Sequence, residues 1–140
     1  GRDSGKRRDK PVQFERGPSI YVQISEYIYS QVLCGAWEAG ERIPSVRELA
    51  VELEVNPNTV LRSYNVLQEE GVVFNRRGIG YFVADEGAEA ARRRKLAQLR
   101  EQDLPELFER LRLVGVTPSE LRNSYAAHLE RHGKEEKDHA

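Results

Sequence analysis

Apolar positions fall at helical spacing along most of the chain and at strand spacing in one place. In residues 19–34, Ile20, Ile24, Tyr27, Ile28 and Gln31/Val32 trace one helical face. Tyr21, Val22, Tyr29 and Leu33 extend it around much of the girth, which predicts burial on two sides, one against the next helices and one against a partner. Gly35 closes this helix. Residues 35–44 form a turn and a short extended piece. There Trp37 is a packing anchor and Pro44 keeps Ile43 extended. Residues 45–70 are the organising stretch, two helices joined by a tight turn. Ser45 and Glu48 have the spacing of a capping box, followed by the short stripe Leu49, Ala50, Leu53. Asn56 caps the second helix, and Pro57 suits its first turn, where no amide donor is needed. Val60, Tyr64 and Leu67 mark its buried face. Asn58, Arg62, Asn65 and Glu69 mark the opposite one. Gly71 ends the helix. Residues 72–83 read as a β-hairpin of Val72–Phe74 and Tyr81–Val83, with Gly78 and Gly80 in the bend.

Beyond the hairpin the pattern is helical and highly charged. Residues 85–103 carry the run Arg92, Arg93, Arg94, Lys95, which reads as a solvated face beside a thin seam of Leu96 and Leu99. A new helix starts at Asp103 or Leu104, with Asp103 as cap, Pro105 in the first turn and Glu106 near the positive end of the helix dipole. Leu104, Leu107, Phe108, Leu111 and Val114 form its stripe, and Gly115 breaks it. Thr117-Pro118-Ser119-Glu120 spells another capping box, followed by Leu121, Tyr125 and Leu129. Residues 133–140 look frayed. The expected fold is mostly α with a small β-hairpin: a basic flexible tail (1–17), a winged helix-turn-helix (18–84), a short helical dimerisation region (85–132) and a frayed end (133–140).

Charge refines this picture. The formal net charge is −1. Residues 1–17 carry six basic and three acidic side chains, residues 18–84 five and eight, and residues 85–140 eleven and twelve. No segment has the overall basicity of a nonspecific DNA coat, so DNA binding must rest on a few placed arginines. The tail reads as disordered; the competing reading is an arm that touches DNA phosphates weakly through Lys6, Arg7 and Arg8. The single Cys34 excludes an internal disulfide, fits a reducing cytosol and reads as a small buried residue near a helix end. No apolar run approaches the roughly 20 residues of a membrane span. The sequence predicts no signal peptide. With no methionine in the chain, Gly1 reads as the remnant of a processed or tagged start. A cytoplasmic location is the expectation.

A short helix, a turn and a second helix with a polar outer face are the parts that enter a DNA major groove. Arg76 and Arg77 at the hairpin tip read as a wing laid along the minor groove, where narrow A·T-rich DNA attracts arginine. Arg47 and Arg62 are the candidates for base contacts, since a bidentate arginine–guanine pair discriminates by ~1–3 kcal/mol. Asn58 can pair with adenine or bind phosphate. Ser45 and Thr59 hold phosphates, which set register. Leu104, Leu107, Phe108, Leu111, Leu121 and Tyr125 are the candidate dimer surface, because stripes on helices of that length cannot bury themselves alone.

The string GAWEAGERIPSVRELAVELEVNPNTVLRSYNVLQEEGVVFNRRGIGYFV resembles the N-terminal domain of GntR-type bacterial transcription regulators. Asn56-Pro57-Asn58-Thr59-Val60 with Arg62 and Tyr64 looks most like the YtrA subfamily, which has a short C-terminal region of about two helices. The resemblance implies a winged helix-turn-helix that binds a palindromic operator as a homodimer. It further implies a repressor role, often over operons for ABC transporters. It also implies DNA contacts at Ser45, Arg47, Asn58, Thr59, Arg62, Arg76, Arg77, Gly78 and Gly80. Many GntR proteins carry an arginine where this chain has Pro57, so either Asn58 and Arg62 take more of the readout or specificity is lower.

Three other readings compete. An enzyme lacks support, since no Ser/His/Asp or Cys/His set and no phosphate-cradling loop occurs, and no cofactor is implied. A metal sensor rests only on His128 and His132 at i, i+4, which read better as solvated histidines. A winged helix that binds protein instead of DNA is favoured by the negative charge of residues 18–84 and opposed by the arginines at the helix starts and wing tip. An effector at the dimer interface, against Trp37, Tyr27 or Tyr125, has no residue evidence.

Overall fold

The computed structural model describes residues 19–139. The predicted tail with Lys6, Arg7 and Arg8 lies outside the described residues. The chain divides into two units, the first reaching to Leu96 and the second running from Ala97.

In the first unit, helix α1 (Ile20–Leu33) precedes α2 (Val46–Leu53) and α3 (Pro57–Glu69). A hairpin of β1 (Val73–Arg76) and β2 (Gly80–Val83) follows, then α4 (Gly87–Gln98). The helix ends follow local chemistry. Ser45 Oγ accepts from Glu48 N at 3.1 Å, and the Glu48 carboxylate accepts from Ser45 N at 2.9 Å, a complete capping box. Asn56 Oδ1 accepts from Asn58 N at 2.8 Å, with Pro57 opening α3. The turn between α2 and α3 passes through Glu54 in the left-handed region, φ 58°.

The core gathers one stripe from each helix. Ile28, Leu49, Val60, Tyr64 and Leu67 are fully buried, and Val72, Val73 and Val83 bring in the hairpin. Tyr64 packs edge-on against Tyr81 and donates to the Pro44 carbonyl at 2.6 Å. Burial first, and Tyr81 second, push its phenol well above the ordinary range, so it remains a donor. Trp37 packs edge-on against Tyr27, as an anchor does.

The hairpin is antiparallel, with Val73 facing Val83 and Phe74 facing Phe82. The extended piece after Gly40 pairs with the outer side of β2. Val83 N donates to Glu41 O at 3.0 Å, Ile43 N donates to Tyr81 O at 2.9 Å, and Arg42 bridges Phe82. It therefore covers an edge that β2 otherwise leaves open.

Three sequence expectations need correction in this unit. Part of the second side of α1 meets its own chain: Tyr29 is buried, its hydroxyl donates to Glu70, and Lys95 of α4 lies over its ring, while Tyr21 and Val22 are half-buried and Leu33 is exposed. The basic run is not simply a solvated face. Lys95 pairs with Glu26, and Arg94 pairs with Glu70 at 3.2 Å. Helix α4 comes close because its contact residues are small. Ala90 and Ala91 are buried, and a Cβ on Gly87 would stand 2.5 Å from the Val72 carbonyl oxygen. Cys34 is exposed, since it caps the end of α1 outside the stripe that faces the core.

In the second unit a π-helical turn, Leu99–Asp103, leads into α5 (Leu104–Val114), and α6 spans Pro118–His139. Asp103 does not cap α5. Its backbone is already helical, and Leu104 N donates to Leu99 O across the wider turn. That widening accommodates Pro105, which lacks an N–H and crowds the carbonyl four residues back. Gly115 ends α5 at φ 82°, and Thr117 and Glu120 form the predicted box at 2.8 and 3.2 Å. Residues 133–139 are helical and continue α6. A His132–Glu136 pair at 3.2 Å lies one turn apart there, and Gly133 does not interrupt the run. None of the described residues in this unit is buried. No helix of the described residues is long and apolar enough to cross a membrane.

Candidate nucleic-acid interface

The two helices of the turn motif present their polar residues on the side away from the core. Arg47 is exposed in the first turn of α2, anchored by the capping box beside it. The Ser45 backbone N–H holds the Glu48 carboxyl below the usual carboxylate range, so the box is intact at neutral pH. Ser45 uses its oxygen as the cap acceptor and keeps its O–H to give. Arg47 borders an open depression of about 450 Å³ with Val51, Val55 and Pro57, where α2 meets α3.

Asn58, Thr59 and Arg62 share a second open depression, about 330 Å³, with Ser19, Ile20, Tyr21 and Asn56. The first turns of α1 and α3 meet there. The central carbon of the Arg62 guanidinium lies over the Tyr21 ring, 3.8 Å from its centroid. Asn65 and Glu69 continue the exposed face of α3.

The wing places Arg76 at the end of β1, its guanidinium 5.5 Å from the Phe82 ring. Phe82 stacks on Phe74 at 5.6 Å, which stiffens this face of the hairpin. Arg77 is exposed, and Gly78 turns the chain at φ 76°. Gly80, at φ 147°, has a further role. A Cβ there would stand 2.8 Å from Arg42 Nε, so the missing side chain makes room for Arg42 to cross the strand. Arg42 is the cation that the sequence reading missed. Its position before Ile43-Pro44 marks an extended piece but says nothing of the β2 strand it reaches.

The residues predicted for dimerisation lie in the second unit. Leu104, Leu107, Leu111 and Leu121 are half-buried, while Phe108 (50%) and Tyr125 (63%) are exposed. Leu113, Val114 and Leu129 are exposed beside them. Tyr27 and Trp37 belong to the first unit and Tyr125 to the second. Among the described residues no group of three or more His, Cys, Asp or Glu could hold a metal ion.

A short helix, a turn, a second helix with a polar outer face and an arginine-tipped hairpin behind it define a winged helix-turn-helix domain. Residues 20–83 match the family described as bacterial regulatory proteins, gntR family. The uncharacterized HTH-type transcriptional regulator YhcF of Bacillus subtilis (strain 168) is 34% identical over 109 residues, 78% of this chain and 88% of that protein. The HTH-type transcriptional repressor YtrA of the same strain is 35% identical over 83 residues, 59% of this chain and 64% of YtrA. A GntR family transcriptional regulator from Listeria monocytogenes aligns over 79% of this chain and 96% of its own, with TM-score 0.67 and 30% identity. A GntR-family regulator from Bacteroides thetaiotaomicron aligns over 81% and 99%, with TM-score 0.63 and 39% identity. The chain belongs to the GntR family. It is a DNA-binding transcriptional regulator and not an enzyme.

Proposed function

We propose that the protein is a cytoplasmic bacterial repressor that binds a palindromic operator as a homodimer, and that the operon it controls encodes a membrane transporter. The observation that carries the dimer is the apolar stripe of α5 and the residues Leu121, Tyr125 and Leu129 of α6, all of them half-buried or exposed. A second copy supplies a cover of matching chemistry, and a two-fold pair reads a two-fold DNA site. Similarity to YtrA, a repressor by name, supports the sign of regulation.

In this reading Arg47 and Arg62 take base edges, Asn58 takes adenine or phosphate, and Ser45 and Thr59 hold phosphates. Arg76 and Arg77 enter the minor groove, with Gly78 and Gly80 letting the wing backbone approach. The acidic balance of residues 18–84 makes binding depend on these placed cations. Selection of DNA from a random pool tests the core of this. A palindromic consensus whose affinity falls steeply with salt supports it; enrichment of no sequence overturns it. Leu107→Asp with Leu111→Asp yields a monomer that binds this consensus much more weakly, and a double variant still dimeric by light scattering overturns the dimer. Transporter control is tested by mapping the consensus upstream of operons and measuring transcript in a deletion strain. A rise in transporter transcript is the expected result.

A further inference from the structure

We propose that Tyr21 is the positioning residue of Arg62, a stacking platform that holds the guanidinium flat and presents its edge to DNA. This rests on the reading that Arg62 takes a base edge.

The geometry is a two-point clamp between the first turn of α1 and α3. Arg62 covers the Tyr21 ring at 3.8 Å, well within the range of a cation–π contact. The adjacent Ser63, fully buried, donates its hydroxyl to the Tyr21 carbonyl at 2.7 Å. Ser25, also buried, donates to the same carbonyl at 3.0 Å. One end of Tyr21 is thus tied to α3 through backbone, and its ring meets the neighbouring residue of α3 through its face. The backbone ties set where the ring stands, and the ring sets where the guanidinium lies.

Stacking uses the face of the guanidinium and leaves its five N–H groups pointing outward in the plane. The stack itself uses none of these edge donors. A bidentate contact to guanine needs two of those edge donors and a fixed plane. A free arginine loses rotamer freedom when it binds, whereas a stacked one has already lost it, so the platform strengthens binding through preorganisation. Asn58 and Thr59 border the same depression, so the platform stands beside the other predicted contacts.

The test uses the full chain and the operator obtained by selection, together with every single base-pair variant of that operator, titrated by fluorescence anisotropy. The proteins are wild type, Tyr21→Phe, Tyr21→Leu, Arg62→Ala and the Tyr21→Leu/Arg62→Ala double variant. Arg62→Ala flattens discrimination at one base pair per half-site. Tyr21→Leu keeps apolar bulk but removes the ring. It weakens operator binding about three- to tenfold and loses discrimination at that same base pair. Tyr21→Phe binds as wild type, and the double variant is no weaker than Arg62→Ala alone. Additive losses, a loss spread evenly over all operators, failure of phenylalanine to restore binding, or tighter binding by Tyr21→Leu would each overturn the platform. If Arg62→Ala discriminates normally, the base-reading role falls and the platform with it. If Arg62→Ala loses discrimination and Tyr21→Leu does not, only the platform falls. Should Tyr21→Leu not fold, the Arg62 Nε–H resonance of wild type decides. A ring-current shift that persists on the operator supports the proposal, and its disappearance on binding overturns it.

Discussion

The two units carry apolar stripes of similar spacing and treat them differently. In the first, Val60, Tyr64 and Leu67 are fully buried beneath α1, α2 and the hairpin. In the second, Leu104, Leu107, Phe108 and Leu111 recur at the same period, and none is buried. Periodicity names the face that wants cover; it does not name the cover. The first unit finds it within the chain, because α1, α2, α3, α4 and the hairpin share one buried cluster. The described helices of the second unit do not enclose one.

Truncation of matched leucines separates the units most strongly. Leu67→Ala should cost about 2–5 kcal/mol in chemical unfolding, through lost burial and a residual cavity. Leu111→Ala should cost under about 1 kcal/mol in dilute protein, with a larger cost at high concentration if a second copy covers it. Equal costs in dilute solution would mean that α5 buries its stripe within one chain. Next comes Tyr64→Phe, which strands the Pro44 carbonyl and should lower stability by about 1 kcal/mol. No change in the unfolding midpoint would count against that hydrogen bond as a tie between α3 and the extended piece.

Ser45→Ala should cost about 1 kcal/mol and weaken DNA binding by loosening the start of α2, where Arg47 sits. The pH dependence has a definite sign. The folded-state carboxyl of Glu48 titrates below its unfolded value, so its contribution is present above the usual carboxylate range and is lost as pH falls through the depressed value. The difference between wild type and Glu48→Gln should therefore shrink on acidification, measured by thermal unfolding at several pH values. A constant difference would remove the carboxylate from the cap. The smallest effect is a gain. Glu54 holds φ 58°, a conformation costly to a side chain, and Glu54→Gly should add about 0.5 kcal/mol after the extra chain entropy is counted. A loss of stability there would mean that the Glu54 side chain makes a contribution larger than its backbone strain.

Most of the fold was legible where the cause is local. Ser45 with Glu48, Asn56 with Pro57, and Thr117 with Glu120 all cap as their spacing predicts, since each bond spans two or three residues. The same reasoning failed at Asp103. Its residue type suits a cap, but the preceding chain was already helical and passed through a π turn. At residues 133–139 polarity alone did not end the helix, which runs on to His139. The candidate site was legible as a set of residue types. Its arrangement was not: Arg42 across Gly80 and Arg62 on Tyr21 join residues far apart in the chain.

By itself the sequence determined most element types, the caps at Ser45, Asn56 and Thr117, the apolar stripe of each helix of the turn motif, and the family. Those features depend on hydrogen bonds and side-chain periodicity within a few residues of chain. Tertiary structure alone decided that α4 covers Tyr29, that the piece after Gly40 pairs with β2, and that the Tyr21 carbonyl receives the Ser63 hydroxyl 42 positions away. Each of these is a contact between surfaces that local spacing does not encode. It exists because burying both surfaces together, with their polar groups paired, offsets the entropy of bringing distant parts of the chain into register.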